Sequence, residues 1–211
     1  MKNSNFSICS ITAALSALCV ILSFIACAPR NVTPLYLEAE FSKTRIAEPI
    51  YLLSFVDLRV DKAKNLNLDD NAMRRLSPSF EKKGYGPLKA MKDRKWVESV
   101  VEDDFTHPDS SFLAVLGPEK AHYLFCPVLH DFKSKLTFGS TANAEVSGYI
   151  VDKKRGKIVW KHKGLGQAGQ GGLMGMAMKG LVEEEAVNTA LLSLSVAIPQ
   201  NGIPKTVVAK K

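Results

Sequence analysis

Cysteine is scarce and unevenly placed. Of the four in 211 residues, Cys9, Cys19 and Cys27 fall in or at the edge of one apolar stretch at the start, which leaves Cys126 alone in the rest. A disulfide framework within the folded body is thereby excluded, and no Cys-x-x-Cys pair exists to hold a metal. Cys126 lies in Tyr123-Leu124-Phe125-Cys126-Pro127-Val128, where a small buried hydrophobe is expected rather than a reactive thiol. Histidine is thin as well: His107, His122, His130 and His162 are scattered without metal-ligand spacing. Aromatic residues make up only 8% and are not interleaved with the basic ones, so a stacking platform for nucleic acid is not expected. The composition is otherwise ordinary. At 46% hydrophobic and 23% charged the chain is globular, long enough for one domain plus a targeting segment. The net charge of +7 suits an anionic lipid surface or acidic polymer, and is equally common in proteins with no such partner.

Charge is also missing from the N-terminus. Residues 1–26 carry only Lys2, followed by an apolar stretch from Phe6 to Ala26. A positive start, an apolar middle and a small residue before a cut describe an export signal. The stretch closes with Ser23-Phe24-Ile25-Ala26-Cys27. This resembles the bacterial lipobox, with Phe24 standing where leucine is most usual. The resemblance implies cleavage before Cys27, a diacylglycerol on its thiol and acylation of the new amino group; several chains together make the anchor stable. After Cys27 come Ala28 and Pro29, not the aspartate that often retains lipoproteins at the inner membrane. The resemblance therefore implies the outer membrane, periplasmic face. The alternatives are an uncleaved anchor or ordinary secretion. About twenty residues can just span a bilayer, but the serines and asparagines here make a weakly hydrophobic span.

The expected organisation is a signal peptide at 1–26, a lipidated tether at 27–46, a single α/β domain at 47–198 and a basic polar tail at 199–211. Ile50-Tyr51-Leu52-Leu53-Ser54-Phe55-Val56 reads as a central strand, and residues 57–70 as a polar loop leaving it. Ser77-Pro78 suits a helix start, ending at Gly84. Residues 88–91 read as a short strand, and 95–101 and 110–116 as helical pieces. Strands are expected at 123–129, 143–151 and 157–162, the last two paired through the polar turn Asp152-Lys153-Lys154-Arg155-Gly156. Residues 164–172 are glycine-rich and read as a mobile segment. A closing helix over 181–198 carries the stripe Ala186, Val187, Ala190, Leu191, Leu194 and Ala197. The sum is an α/β fold, a mixed sheet with flanking helices.

Several motifs in order carry a family resemblance: Pro49-Ile50-Tyr51-Leu52-Leu53; Pro78 before Phe80-Glu81-Lys82-Lys83-Gly84-Tyr85; Ala121-His122-Tyr123-Leu124-Phe125; and Val151-Asp152 with Gly156-Lys157-Ile158-Val159-Trp160, followed by a glycine-rich stretch and a helix. Together they resemble a family of small bacterial lipoproteins with a fold like the N-terminal domain of TolB, distantly related to LpoB and CsgG. The resemblance implies a non-enzymatic accessory, assembly or trafficking factor of the cell envelope, with an envelope protein as partner. Its alternative is an oligomeric secretion-channel component of CsgG-like type, for which residues 137–149 are rather polar.

No catalytic or cofactor set stands out. Gly164-Leu165-Gly166-Gln167-Ala168-Gly169 matches GxGxxG after a strand, but the following helix leads into the tail, so no second parallel strand can supply a ribose-binding acid. Met174, Met176 and Met178 alternate and suit adaptable packing or a contact surface better than Cu(I). His130-Asp131 is the one catalytic-looking pair, yet neighbours on a strand point to opposite faces. Ser110, Ser111 and Ser140 lack a nucleophile-elbow setting. Asp103-Asp104 and Glu183-Glu184-Glu185 read as solvated faces or helix-start charges. Lys153, Lys154, Arg155, Lys157, Lys161 and Lys163 form the densest basic cluster, a candidate for anionic lipid or cell-wall polymer. The expectation is thus no catalytic, cofactor or metal residues, lipidation at Cys27, no nucleic acid, and an envelope hydrolase only as a remote alternative.

Overall fold

A computed structural model describes residues 32–59, 66–91, 105 and 107–202. The signal segment, Cys27, the helical piece at 95–101, Asp103-Asp104 and residues 203–211 lie outside the described residues. The chain from Thr33 onward forms one compact unit.

The strands are β1 (Tyr36–Leu37), β2 (Ile50–Leu52), β3 (Val56–Asp57), β4 (Lys89–Ala90), β5 (Tyr123–Thr137), β6 (Gly139–Asp152) and β7 (Lys157–Gly171). The helices are α1 (Ala39–Lys43), α2 (Leu68–Lys82), α3 (Ser110–Val115), α4 (Gly172–Ala177) and α5 (Lys179–Ala197). The sheet runs β1-β7-β6-β5-β2-β4, with β3 also paired to β5. β2 is parallel to β4 and β5, whereas β5, β6 and β7 form an antiparallel meander, so the sheet is mixed as expected.

Register explains which residues are buried where. Phe125, Ile150 and Trp160 are cross-strand neighbours on one face. That face is closed by α2 and α5: the Phe80 ring meets Phe125 edge-on at 5.4 Å, and Trp160 Nε1 donates to the Ala197 carbonyl at 3.2 Å. Leu124, Cys126, Tyr149 and Val151 point the other way, packing with Leu53, Leu113, Leu116 and Phe105. Cys126 is wholly buried and its thiol is pushed well above its usual pKa by desolvation, as suits a small core hydrophobe. The predicted stripe of α5 is buried at all six positions.

Several boundaries differ from the sequence reading, each for a local reason. The fold begins before residue 47. β1 pairs with β7, and α1 buries Phe41 within the segment expected to be tether. At the other end Asn201, expected in the polar tail, accepts from the Ile46 backbone N–H (2.7 Å) and donates to the Ile46 and Gly84 carbonyls (both 2.8 Å). Pro78 lies inside α2 rather than at its start. Leu68, Ala72, Leu76 and Phe80 recur every four residues, and the burial of Ala72, Leu76 and Phe80 on that stripe outweighs the one backbone hydrogen bond that a proline removes. The expected single strand at 50–56 is two short ones, β2 and β3. Ser54 turns its hydroxyl to the Met91 carbonyl between them.

The glycine-rich segment expected to be mobile is instead the outer half of β7, paired with β6 as far as Gly139↔Gly171. Gly164 and Gly166 face α5. A Cβ on Gly164 would fall on the Ala190 carbonyl oxygen, and one on Gly166 on that of Ala186. With Ala142, Ala144, Ala186 and Ala190 they let helix and sheet backbones approach closely. The glycines therefore serve packing.

Candidate functional site at the far end of the meander

β5, β6 and β7 are 15, 14 and 15 residues long, more than twice the usual strand, and carry their outer ends well past the short strands β1 to β4. α5 follows β7 back along the sheet, and α4 caps the end. Three glycines make that cap. Gly139 turns β5 into β6 at φ +125°, and Gly172 leaves β7 at φ +69°, its N–H donating to the Phe138 carbonyl at 3.3 Å. Gly175 brings α4 so close that a Cβ there would fall on the Gln170 carbonyl oxygen.

The product is a concentration of exposed apolar side chains. Of the thirteen large apolar residues that are solvent-exposed among the described residues, seven belong to this end: Leu136, Phe138, Leu173, Met174, Met176, Met178 and Leu181. Phe138 is 81% and Leu173 77% exposed. Single exposed leucines need no explanation, whereas a cluster of this kind marks a contact surface. The alternating methionines Met174, Met176 and Met178 all belong to this exposed group. Sequence reasoning missed Phe138 and Leu173, whose only signal was apolar residues beside turn glycines.

The open face of the meander is polar. Asp131, Lys133, Asn143, Glu145 and Gln167 line a shallow depression of about 510 Å³ together with Leu165. Asp131 is exposed and paired with Lys133 at 2.6 Å, and the hydrogen bond from that lysine holds its carboxyl below the usual range. The structure thus gives Asp131 a surface ion pair rather than a partnership with His130. Ser111 donates both its N–H (2.9 Å) and its hydroxyl (2.8 Å) to Asp109, which caps α3. Ser140 is buried under α4. No three His, Cys, Asp or Glu side chains gather as metal donors among the described residues.

The basic cluster of the hairpin does not form one patch. Lys153 is buried and donates to the Pro118 carbonyl at 2.8 Å. Arg155 is bound by Glu38, Glu40 and Asp152. Lys161 lies over the Tyr149 ring and Lys163 pairs with Glu145.

His162 sits between Trp160 and Gly164 on the α5 side, buried, with Nδ1 lacking a hydrogen-bond partner. Desolvation lowers its pKa below the ordinary imidazole value of about 6.5. Above that pH the ring is neutral in folded and unfolded chains alike, and the site adds no pH dependence. Below it the unfolded chain takes up a proton that the folded chain resists. Stability therefore falls as pH drops through about 6.5 and levels off once the folded-state pKa is passed. A His162→Leu variant loses less stability than the wild type between pH 7 and pH 5 in urea denaturation. Equal losses would show that the ring does not titrate differently on folding.

No family model and no curated protein matches the chain. Solved structures of similar fold include the PelC dodecamer from Paraburkholderia phytofirmans, 12% identical over 80% of this chain and 94% of that one, with a TM-score of 0.42. The hypothetical protein CT253 from Chlamydia trachomatis is 14% identical over 71% of this chain and 96% of that one, at 0.42. Lipoprotein GNA1162 from Neisseria meningitidis is 14% identical over 64% and 96%, at 0.37. At these scores the likenesses assign neither a family nor a function.

Proposed function

We propose that this protein is a lipid-anchored component of a bacterial envelope, held by Cys27 on the periplasmic face of the outer membrane, that works by contact rather than catalysis. The observation that carries the contact role is the apolar end of the meander: seven exposed large apolar side chains on a scaffold of close-packed backbones. Rigid, glycine-built support of this sort suits a surface that must present side chains in a fixed arrangement. The export signal and lipobox-like Cys27 support the compartment, and the accessory or assembly role with an envelope protein as partner follows from the resemblance described above. No helix among the described residues is long and apolar enough to cross a membrane. The channel reading is weaker: one face of the meander lies under α5, and the other carries Thr141, Asn143, Glu145 and Ser147 in alternation where a spanning strand needs an apolar band.

Two measurements test the reading. The intact mass of the protein extracted from membranes is expected to lack residues 1–26 and to include acyl chains, and a Cys27→Ala version is expected to lack them. An N-terminus retaining Lys2 without acylation sinks the anchor. A photo-crosslinker at Leu173 in intact cells is expected to give an adduct, whose mass tells whether this end meets protein or phospholipid. Its absence at every growth stage sinks the contact role.

A further inference from the structure

The far end of the meander carries an unusual distribution of charge. Residues 132–144 and 164–182 contain three lysines, Lys133, Lys135 and Lys179, and no acidic residue. The nearest acids, Asp131, Glu145 and Glu183, all lie toward the base of the meander, and each is ion-paired: with Lys133 at 2.6 Å, Lys163 at 2.6 Å and Lys179 at 3.9 Å. With those pairs counted, four lysines (Lys133, Lys135, Lys163 and Lys179) stand against three acids, and the excess positive charge is that of Lys135, three residues from Phe138. A second copy offering the same end would bring like charges together, which disfavours self-pairing.

We propose that this end seats on an anionic phospholipid surface, with Phe138, Leu173 and Met174 entering the headgroup region and Lys135 meeting lipid phosphate. The three apolar residues are neighbours because the Gly172 N–H bonds the Phe138 carbonyl, which fixes the turn of β5–β6 against the start of α4. All three are more than 60% exposed. Exposed apolar side chains with a lysine beside them and no acid among them suit an interfacial contact with anionic lipid.

The path of the chain points the same way, a step that rests on the lipid anchor at Cys27. β1 is antiparallel to β7 with Tyr36 opposite Lys161, so the chain enters β1 from the side toward which β7 runs. From Cys27 to Tyr36 is nine positions, and from Lys161 to Gly171 is ten. At roughly 3.3 Å per extended residue both spans reach about 30 Å. The length of chain before Tyr36 thus suffices for a membrane that holds a lipid on Cys27 to reach Phe138 and Leu173.

The test removes the acyl chains, so that only the protein surface can bind. Residues 28–211 hold the whole compact unit and are mixed with two kinds of vesicle: phosphatidylethanolamine and phosphatidylglycerol at about 3:1, and phosphatidylcholine alone. Co-sedimentation is expected to show binding to the first, weakening with salt, and about tenfold less to the second. Phe138→Ser with Leu173→Ser is expected to lower binding at least about tenfold, since each removes a large exposed apolar group that the bilayer would bury. Lys135→Gln is expected to lower it about fivefold on the anionic vesicles only. All three positions are exposed, so an unchanged thermal midpoint confirms that the variants are folded. Absence of vesicle binding, binding indifferent to the Phe138 and Leu173 changes, or loss of self-association instead of lipid binding each overturns the proposal. Failure here with an acylated Cys27 removes the lipid-facing surface alone. Vesicle binding with an unmodified Cys27 removes the lipoprotein reading and keeps the surface.

Discussion

Gly166→Val is expected to destabilise the protein by about 3 kcal/mol or more, because the new side chain has no space to enter. Its Cβ would fall on the Ala186 carbonyl oxygen and lie 2.5 Å from the Ala190 nitrogen. Both are backbone atoms of α5, a 19-residue helix whose Ala186, Ala190, Leu191 and Leu194 are fully buried against the sheet. No rotamer change relieves a backbone clash, so the helix must move as a unit and take those contacts with it. Gly164→Ala should behave alike, since its Cβ would fall on the Ala190 carbonyl oxygen. The two will not add, because both push the same turns of the helix. Gly169→Ala is the control. A Cβ there meets Thr141 Cγ2 at 3.4 Å and the Ser140 oxygen at 3.7 Å, ordinary contacts, and the change should lie within about 0.5 kcal/mol of wild type. Urea denaturation separates the cases. A nucleotide-cradling GxGxxG loop would leave stability largely indifferent at all three positions, and that result would reverse the packing account.

The same glycines show where sequence reading succeeds and where it stops. The α5 stripe and the Asp152–Gly156 turn were legible because each is set by local periodicity or local φ, as with Gly156 at φ +59°. The segment 164–172 was not, because glycine reads as flexibility unless one knows what lies over it. Its rigidity comes from Ala186 and Ala190, some twenty residues later, at two positions where any side chain would collide. α2 was misread for a related reason. Pro78 is a strong local signal, and the competing stripe of Leu68, Ala72, Leu76 and Phe80 is decided by what it packs against. Of the candidate site, the methionines were visible as a group. Phe138 and Leu173 become significant only once the β5–β6 turn and the start of α4 are brought together. Asn201 acts at long range, and so do the Glu38 and Glu40 contacts of Arg155, so nothing in their sequence neighbourhoods announces them.

Arg155→Ala is expected to cost about 3 kcal/mol and to loosen the entry of the chain into the fold. Arg155 Nε donates to Asp152 at 2.7 Å, Nη2 to Glu38 at 2.6 Å, and Nη1 to both Glu38 and Glu40 at 3.0 Å. These hydrogen bonds, that to Asp152 foremost, hold the guanidinium further into its charged range. Asp152 is only 3% exposed in its side chain, and its other partners are the Arg155 backbone N–H and His122 Nε2 at 3.1 Å. Removing the arginine leaves a buried carboxylate that has lost its cation, which costs far more than an exposed pair is worth. The figure is set at the low end for buried pairs because the guanidinium itself is one-third exposed. Adding Asp152→Ala to Arg155→Ala should recover part of the loss, since the stranded charge goes too. Arg155→Lys should recover less, because a single ammonium cannot reproduce three directed contacts. The consequence reaches function through α1. Glu38 and Glu40 are its attachment to the hairpin, so their release should make the backbone near Lys43 and Arg45 cleavable by trypsin under native conditions while α5 stays protected. A variant as protease-resistant as the wild type would mean that Phe41 and β1 alone hold the chain to the sheet. If α1 does loosen, the residues it releases lengthen the stretch between the fold and an anchor at Cys27.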